Sequence, residues 1–253
     1  MRRIELIGPP GVGKTTLLRG LAKPLAGQGL SMASPRLLAL WAYQRRHGIS
    51  GPRRSLEAWL YEVKGLQRWM RPKLEKELIR HEFRALRAAE APWPAFLELA
   101  LQRGHEAADT PALALERLQS YMSGAAAAHA ADRLEGDEVI PFDEGLGQRG
   151  VSLGQGADAD VVREYFRLMP APAAVVFITA PADVITERLR QRNPAVTRFE
   201  AMVEPSLEIC ELAAAVCGDR DIPVIKIDAT LGQDEATRRL AEGLAGVLGG
   251  RHL

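Results

Sequence analysis

Two kinds of apolar pattern divide the chain. Near both ends, short apolar runs alternate with stripes at helical spacing, whereas between residues 36 and 134 only the helical stripes occur. Residues 4–7, with Ile4, Leu6 and Ile7, form a β-prone run that must stop at Gly8-Pro9-Pro10-Gly11. Residues 14–26 then set Leu17, Leu18, Leu21, Ala22 and Leu25 at helical spacing, and glycines at 27 and 29 supply a stop. The order is strand, glycine loop, helix. A second β-prone run is hard to find, because 30–33 is short and Ser34-Pro35 breaks it.

Helices are predicted over 56–71, 72–91, 94–103 and 113–134, separated by Pro and Gly, so that 36–134 reads as a helical insertion or subdomain. Strand and helix then alternate again. Strands fall at 138–142, 173–179 and 224–228, and helices at 160–168, from Pro181 to about 192, at 199–217 and at 234–248, with a turn at Asn193-Pro194. Continuous apolar strands such as AAVVFI, spaced by helices, predict an α/β fold with a parallel sheet covered on both faces. No internal repeat is visible.

Composition narrows the classes without changing this picture. A chain of 253 residues, 47% hydrophobic and 26% charged, can bury a sizeable core, which excludes disordered, collagen-like and disulfide-scaffold chains. Lys plus Arg (33) nearly cancels Asp plus Glu (32), so the global field gives no reason to expect a nucleic-acid partner. No apolar run approaches the ~18 residues that span a bilayer, so no membrane partner is expected either, and the expected location is cytoplasmic. Cys210 and Cys217, seven apart on one predicted helical face, read as reduced core thiols. His47, His81, His105 and His129 show no ligand spacing and are assigned no role.

The chemistry is concentrated in Gly8-Pro9-Pro10-Gly11-Val12-Gly13-Lys14-Thr15, which fits the phosphate-binding pattern G-x-x-x-x-G-K-[ST] between a predicted strand and a predicted helix. Glycines let backbone N–H groups turn toward phosphate oxygens, Lys14 adds a charge near the β- and γ-phosphates, and Thr15, followed by Thr16, offers a hydroxyl to Mg²⁺. Asp143 and Glu144 end the strand VIPF at the sheet edge where ligands bind in open α/β folds. Asp143 would hold Mg²⁺ directly or through water, and either carboxylate could accept a proton from an attacking hydroxyl. Arg188, Arg190 and Arg192 lie at the end of a predicted helix, with Arg198 beyond the turn. They read either as a clamp over a nucleotide beneath a lid at 193–200 or as a solvated basic helix end. Arg45, Arg46, Arg53 and Arg54 with Trp41, Tyr43, Trp59 and Tyr61 read either as a pocket for a flat anion or as core and surface.

These segments resemble the P-loop small-molecule kinases, most closely the thymidylate kinase and deoxynucleoside kinase group. The segments that carry the resemblance are GPPGVGKTT, FDEG, ITAPADVITERLRQR and VIKIDAT, within about residues 1–33 and 137–250. The resemblance implies a three-layer P-loop NTPase fold with a five-stranded parallel sheet in the order 2-3-1-4-5, the helical insertion being the unmatched part. By it, Arg188 would stack on adenine, Arg192 would contact phosphates during transfer, and Asp228, Ala229 and Thr230 would line the other side of the base. Glu144 stands where nucleotide kinases usually carry an arginine, the nearest one downstream being Arg149.

The function expected is ATP- and Mg²⁺-dependent transfer of the γ-phosphoryl group to a small acceptor, whether nucleoside, nucleotide or sugar-like metabolite, by a single-domain enzyme that is a monomer or homodimer. An NTP-hydrolysing ATPase and a nucleotide-binding regulator are the alternatives. The 129-residue gap between Lys14 and Asp143 is longer than ring-forming ATPases use.

Overall fold

Four short apolar segments pair in parallel: β1 (Arg2–Ile7), β2 (Val139–Phe142), β3 (Ala174–Thr179) and β4 (Val224–Asp228), in the spatial order β2-β1-β3-β4. This is a computed structural model, and it describes residues 1–192 and 199–249. Ile4 sits opposite Pro141 on one side and Ala174 on the other, while Val175 faces Val224. β3 is buried along nearly its whole length, as a strand covered on both faces must be.

The sheet therefore has four strands and not the expected five in the order 2-3-1-4-5, and the reason lies in two prolines. The run at 30–33 contributes only an isolated parallel bridge between Met32 and Val139, with Val139 N–H donating to Ser31 (2.8 Å) and Ala33 N–H donating to Val139 (2.9 Å). The next two rungs of a parallel ladder would need N–H groups from residues 141 and 35. Both are prolines, which have none.

One face of the sheet is covered by α1 (Lys14–Gly27) and α11 (Gln233–Gly249), which bury Leu17, Leu21, Leu25, Leu240 and Leu244 against Ile4, Leu6, Val176 and Ile178. The other face carries α7 (Leu146–Leu153), α8 (Ala159–Leu168) and α10 (Val203–Asp219), with α9 (Ala182–Arg192) following β3. Phe166, Tyr165, Cys210 and Cys217 pack there with Val175 and Phe177. Both cysteines are free and buried, and burial raises the Cys210 thiol to about 12 and the Cys217 thiol to about 11, so neither is a reactive thiolate.

Between the Met32 bridge and β2 the chain is helical: a 3₁₀ turn at Pro35–Leu37, then α2 (Leu38–Arg46), α3 (Gly51–Glu62), α4 (Lys64–Leu86), α5 (Trp93–Glu106) and α6 (Pro111–Arg133). The predicted break at Pro72 is absent. The chain breaks at Val63, and Pro72 lies inside α4 on its exposed side. There the carbonyl of Arg68, which loses its intrahelical donor, belongs to an exposed residue and can turn to water. Inside the helical block Glu82 meets His129 Nδ1 at 2.6 Å, with the Trp93 ring edge-on to the imidazole, so a satisfied buried pair links α4 to α6. The expected lid falls largely on 193–198, which with Arg198 lies outside the described residues.

Candidate nucleotide site

β1 delivers the chain into its glycine loop at the carboxyl edge of the sheet. Gly11 (φ 82°) and Gly13 (φ 108°) take left-handed backbone, which a side chain would strain, and Gly13 directly precedes α1. Lys14 begins that helix and folds back over the loop, donating from Nζ to the carbonyls of Gly8 (2.7 Å) and Pro9 (3.3 Å). It is 9% exposed. Burial lowers its pKa, and the Glu144 and Asp143 carboxylates work against that shift. Pro9 and Pro10 shape the entry of the loop, and Gly8 N–H donates to the buried Gln148 Oε1 at 3.3 Å, tying the loop to α7.

Thr15 Oγ1 donates to Asp143 Oδ2 at 3.2 Å, joining the start of α1 to the end of β2 across 128 residues of sequence. A hydroxyl and a carboxylate side by side form two hard oxygen donors, a set that fits Mg²⁺ holding its remaining positions with water and phosphate oxygens. Among the described residues no group of three or more His, Cys, Asp or Glu gathers, so a cation here would have few protein ligands. Glu144 follows at the exposed edge. Desolvation of its carboxyl raises its pKa, Lys14 opposes the shift and Asp143 adds to it.

The elements beside the Asp143-Glu144 turn are tied together by a network that local sequence pattern does not show. Glu5, fully buried in β1, accepts from Arg3 Nη1 (2.7 Å) and from Gly147 N–H at the start of α7 (3.1 Å). Arg3 also donates to Asp132 (2.8 and 3.1 Å) and to the Pro170 carbonyl (2.8 Å). β1, α6 and α7 are thereby fixed to one another beside the Asp143-Glu144 turn. Arg149 of α7 reaches the Glu144 carbonyl and Ser120 Oγ of α6 (3.2 Å), and its guanidinium charge acts on the Glu144 carboxylate.

On the other side of the loop, Arg188 of α9 donates from Nη2 to the Ala229 carbonyl (2.8 Å) and from Nη1 to Val12 (3.4 Å). A cavity of about 260 Å³ lies there, lined by Gly11, Val12, Gly13, Thr16, Arg188 and Ala229, together with Leu17, Leu231 and Gln233. Of the three residues expected to line it after β4, only Ala229 does. Asp228 accepts from the Thr230 backbone N–H (2.8 Å) and hydroxyl (2.7 Å), which holds its pKa below the usual carboxylate range and shapes the turn. A larger hollow, about 670 Å³, touches Asp228, Lys226 and Arg239 along β4, with no residue of the glycine loop in its lining. Leu231 and Gln233, not singled out from sequence, take the places expected of Asp228 and Thr230.

Arg192 ends α9 in solvent, next to the residues outside the description. Arg190 bonds Glu200 twice, at 3.1 and 2.8 Å. The aromatic and basic residues of the insertion do not converge. Tyr61 is buried with Leu74 and Leu78, Trp41 packs near Phe142, Trp59 faces solvent, and Arg53 and Arg46 pair with Glu57 and Glu77.

No protein-family model and no curated protein sequence matches the chain. Among solved structures, a shikimate kinase from Acinetobacter baumannii in complex with shikimate aligns over 100% of this chain and 96% of its own length, at 17% identity and a TM-score of 0.36. A likeness of that size says nothing about activity, which has to be argued from the side chains.

Proposed function

We propose that the chain is an ATP- and Mg²⁺-dependent phosphotransferase that moves the γ-phosphoryl group to the hydroxyl of a small-molecule acceptor. The observation that carries this reading is the Thr15–Asp143 contact beside the loop closed by Lys14. The N–H groups of the Gly8–Thr15 segment and the start of α1 would bind the phosphates, and Lys14 would leave the Gly8 and Pro9 carbonyls for the β- and γ-oxygens. Thr15 and Asp143 would hold Mg²⁺, which when bound neutralises phosphate charge. Arg188, Val12 and Ala229 would flank the nucleoside end of ATP. In transfer, the acceptor oxygen bonds to the γ-phosphorus as the bond to the ADP oxygen breaks, and the acceptor proton passes to Glu144 or Asp143.

Glu144 is the base in this reading, because Asp143 is already engaged by Thr15 and assigned to Mg²⁺, while Glu144 stands exposed at the same strand end with its pKa raised above the ordinary value. A base must be deprotonated to act. The rate should therefore rise with pH through a Glu144 ionisation above the ordinary glutamate value, and Glu144→Gln should lower kcat by about 10²-fold while flattening that limb. A pH–rate profile of the two proteins checks this, and an unchanged limb in the variant would assign the proton to another group. Arg188→Ala should weaken Mg-ATP binding about tenfold, read by calorimetric titration, because it removes the guanidinium joining the loop to Ala229.

The test of the reading is ADP formation from Mg-ATP with a panel of nucleosides, nucleoside monophosphates and sugars. Turnover stimulated by one acceptor class supports the transferase. Hydrolysis indifferent to every acceptor points to an ATPase, and binding of ATP without turnover points to a regulator.

A further inference from the structure

The near-zero net charge conceals a separation. Residues 36–87 carry thirteen Lys and Arg against five Asp and Glu, so the rest of the chain is net acidic. The same stretch holds four of the five large hydrophobic side chains exposed among the described residues: Leu56, Trp59, Val63 and Trp69, the tryptophans being 64% and 63% exposed. All four lie within residues 56–69, on either side of the junction where α3 ends and α4 begins. Leu56 and Trp59 lie one turn apart in α3, Val63 is the extended residue between the two helices (φ −67°, ψ 114°), and Trp69 stands about a turn and a half into α4.

This corner is not a face waiting for a neighbour within the chain, since α4 already packs Leu74, Leu78, Glu82 and Leu86 inward. Its outward stripe runs from Trp69 through Lys73, Lys76 and Arg80 to Arg84. Lys73 Nζ lies 3.9 Å over the Trp69 ring, Arg54 and Arg68 are exposed in the same stretch, and Arg71, also exposed, is paired with Glu75 (2.6 Å). Beyond them, Lys73, Lys76, Arg80 and Arg84 share a shallow hollow of about 450 Å³ with Arg46 and His81, and Glu77 is the one carboxylate lining it.

We propose that the α3–α4 corner docks on an anionic phospholipid surface, with Trp59, Trp69, Leu56 and Val63 entering the headgroup region and the basic stripe lying over the lipid phosphates. Tryptophan and aliphatic side chains with a cationic rim suit such an interface, where apolar burial and charge attraction add. Charge complementarity selects it over other occupants. A second copy related by a two-fold axis would oppose two strongly basic corners. A single-stranded nucleic acid would use the tryptophans for stacking but would leave Leu56 and Val63 without a role. An anionic bilayer attracts this corner and repels the acidic remainder, which fixes the orientation. No helix of the described residues is long and apolar enough to cross a membrane, so the contact would be with the surface alone.

The full chain should co-sediment with vesicles of phosphatidylcholine containing about one third phosphatidylglycerol and not with phosphatidylcholine alone, with a blue shift of tryptophan fluorescence. Binding should fall at least about tenfold in high salt, in Trp59→Ser/Trp69→Ser, and in Arg71→Glu/Lys73→Glu, each variant keeping its helical circular dichroism. Failure to bind the anionic vesicles, or undiminished binding by the tryptophan variant, would overturn the proposal. So would a dimer that the tryptophan substitutions dissolve, or oligonucleotide binding that quenches these tryptophans without vesicle binding. None of these readouts depends on phosphoryl transfer, so the docking proposal and the proposed activity can fail separately.

Discussion

Lys14→Ala should reduce phosphoryl transfer by about 10²–10³-fold, the loss that follows when a preorganised charge aimed at a developing negative charge is removed. The magnitude follows from where the side chain sits. Its ammonium is buried at the mouth of the loop and held by only two carbonyls, at 2.7 and 3.3 Å, which it can exchange for phosphate oxygens with little movement. Lys14→Arg should not rescue the rate, because a planar fork with five donors cannot occupy the space of a compact point charge. Steady-state kinetics check both substitutions, with melting temperature as the control that α1 is intact. A variant that retains near-normal kcat would remove Lys14 from the chemistry.

The second large effect concerns stability. Arg3→Met should destabilise the fold by about 3–5 kcal/mol, because it leaves the Glu5 carboxylate fully buried with only the Gly147 N–H still bonded to it. For a chain of this size that corresponds to a drop of roughly 10 °C in melting temperature. The paired substitution Arg3→Met/Glu5→Leu should recover much of the loss, since replacing both charges by apolar groups removes the uncompensated one. Thermal unfolding of the two variants provides the comparison. Equal losses in both would mean that packing, and not the buried charge, sets the cost. Because Glu5 also holds the start of α7, a surviving Arg3→Met protein should show reduced turnover as the Asp143-Glu144 turn loosens.

These effects also mark how far the sequence could be read. The glycine loop was legible because its signals are local: a strand, glycines where the backbone must turn left-handed, then Lys14 and Thr15 opening a helix. Asp143 was legible as a carboxylate at a strand end, and the contact that gives it meaning, with Thr15, follows from placing two strand ends side by side. The missing fifth strand was harder. Pro35 and Pro141 are each visible, but their effect comes from falling on successive rungs of one ladder, a relation that only the fold supplies. The apolar run begins only at residue 4, whereas β1 begins at Arg2, because the charged Arg2 and Arg3 hide its start and Glu5 interrupts the run. The burial of Arg3 and Glu5 is offset by Asp132, 129 residues from Arg3. Leu231 and Gln233 replaced Asp228 and Thr230 at the cavity because Asp228 uses its carboxylate to fold its own turn, a local competition that spacing does not reveal.

The break between α3 and α4 carries the same lesson. Proline at 72 predicted a boundary, but exposure on the outer side of α4 allows the helix to continue, and the true break at Val63 has no proline or glycine of its own.

The most direct measurement follows the γ-phosphoryl group itself. With γ-labelled ATP, Mg²⁺ and the acceptor class that stimulates turnover, the label should appear in a phosphate ester of the acceptor at the rate of ADP formation, and should vanish from it in Lys14→Ala. Label released only as inorganic phosphate, at a rate the acceptor does not change, would contradict the account.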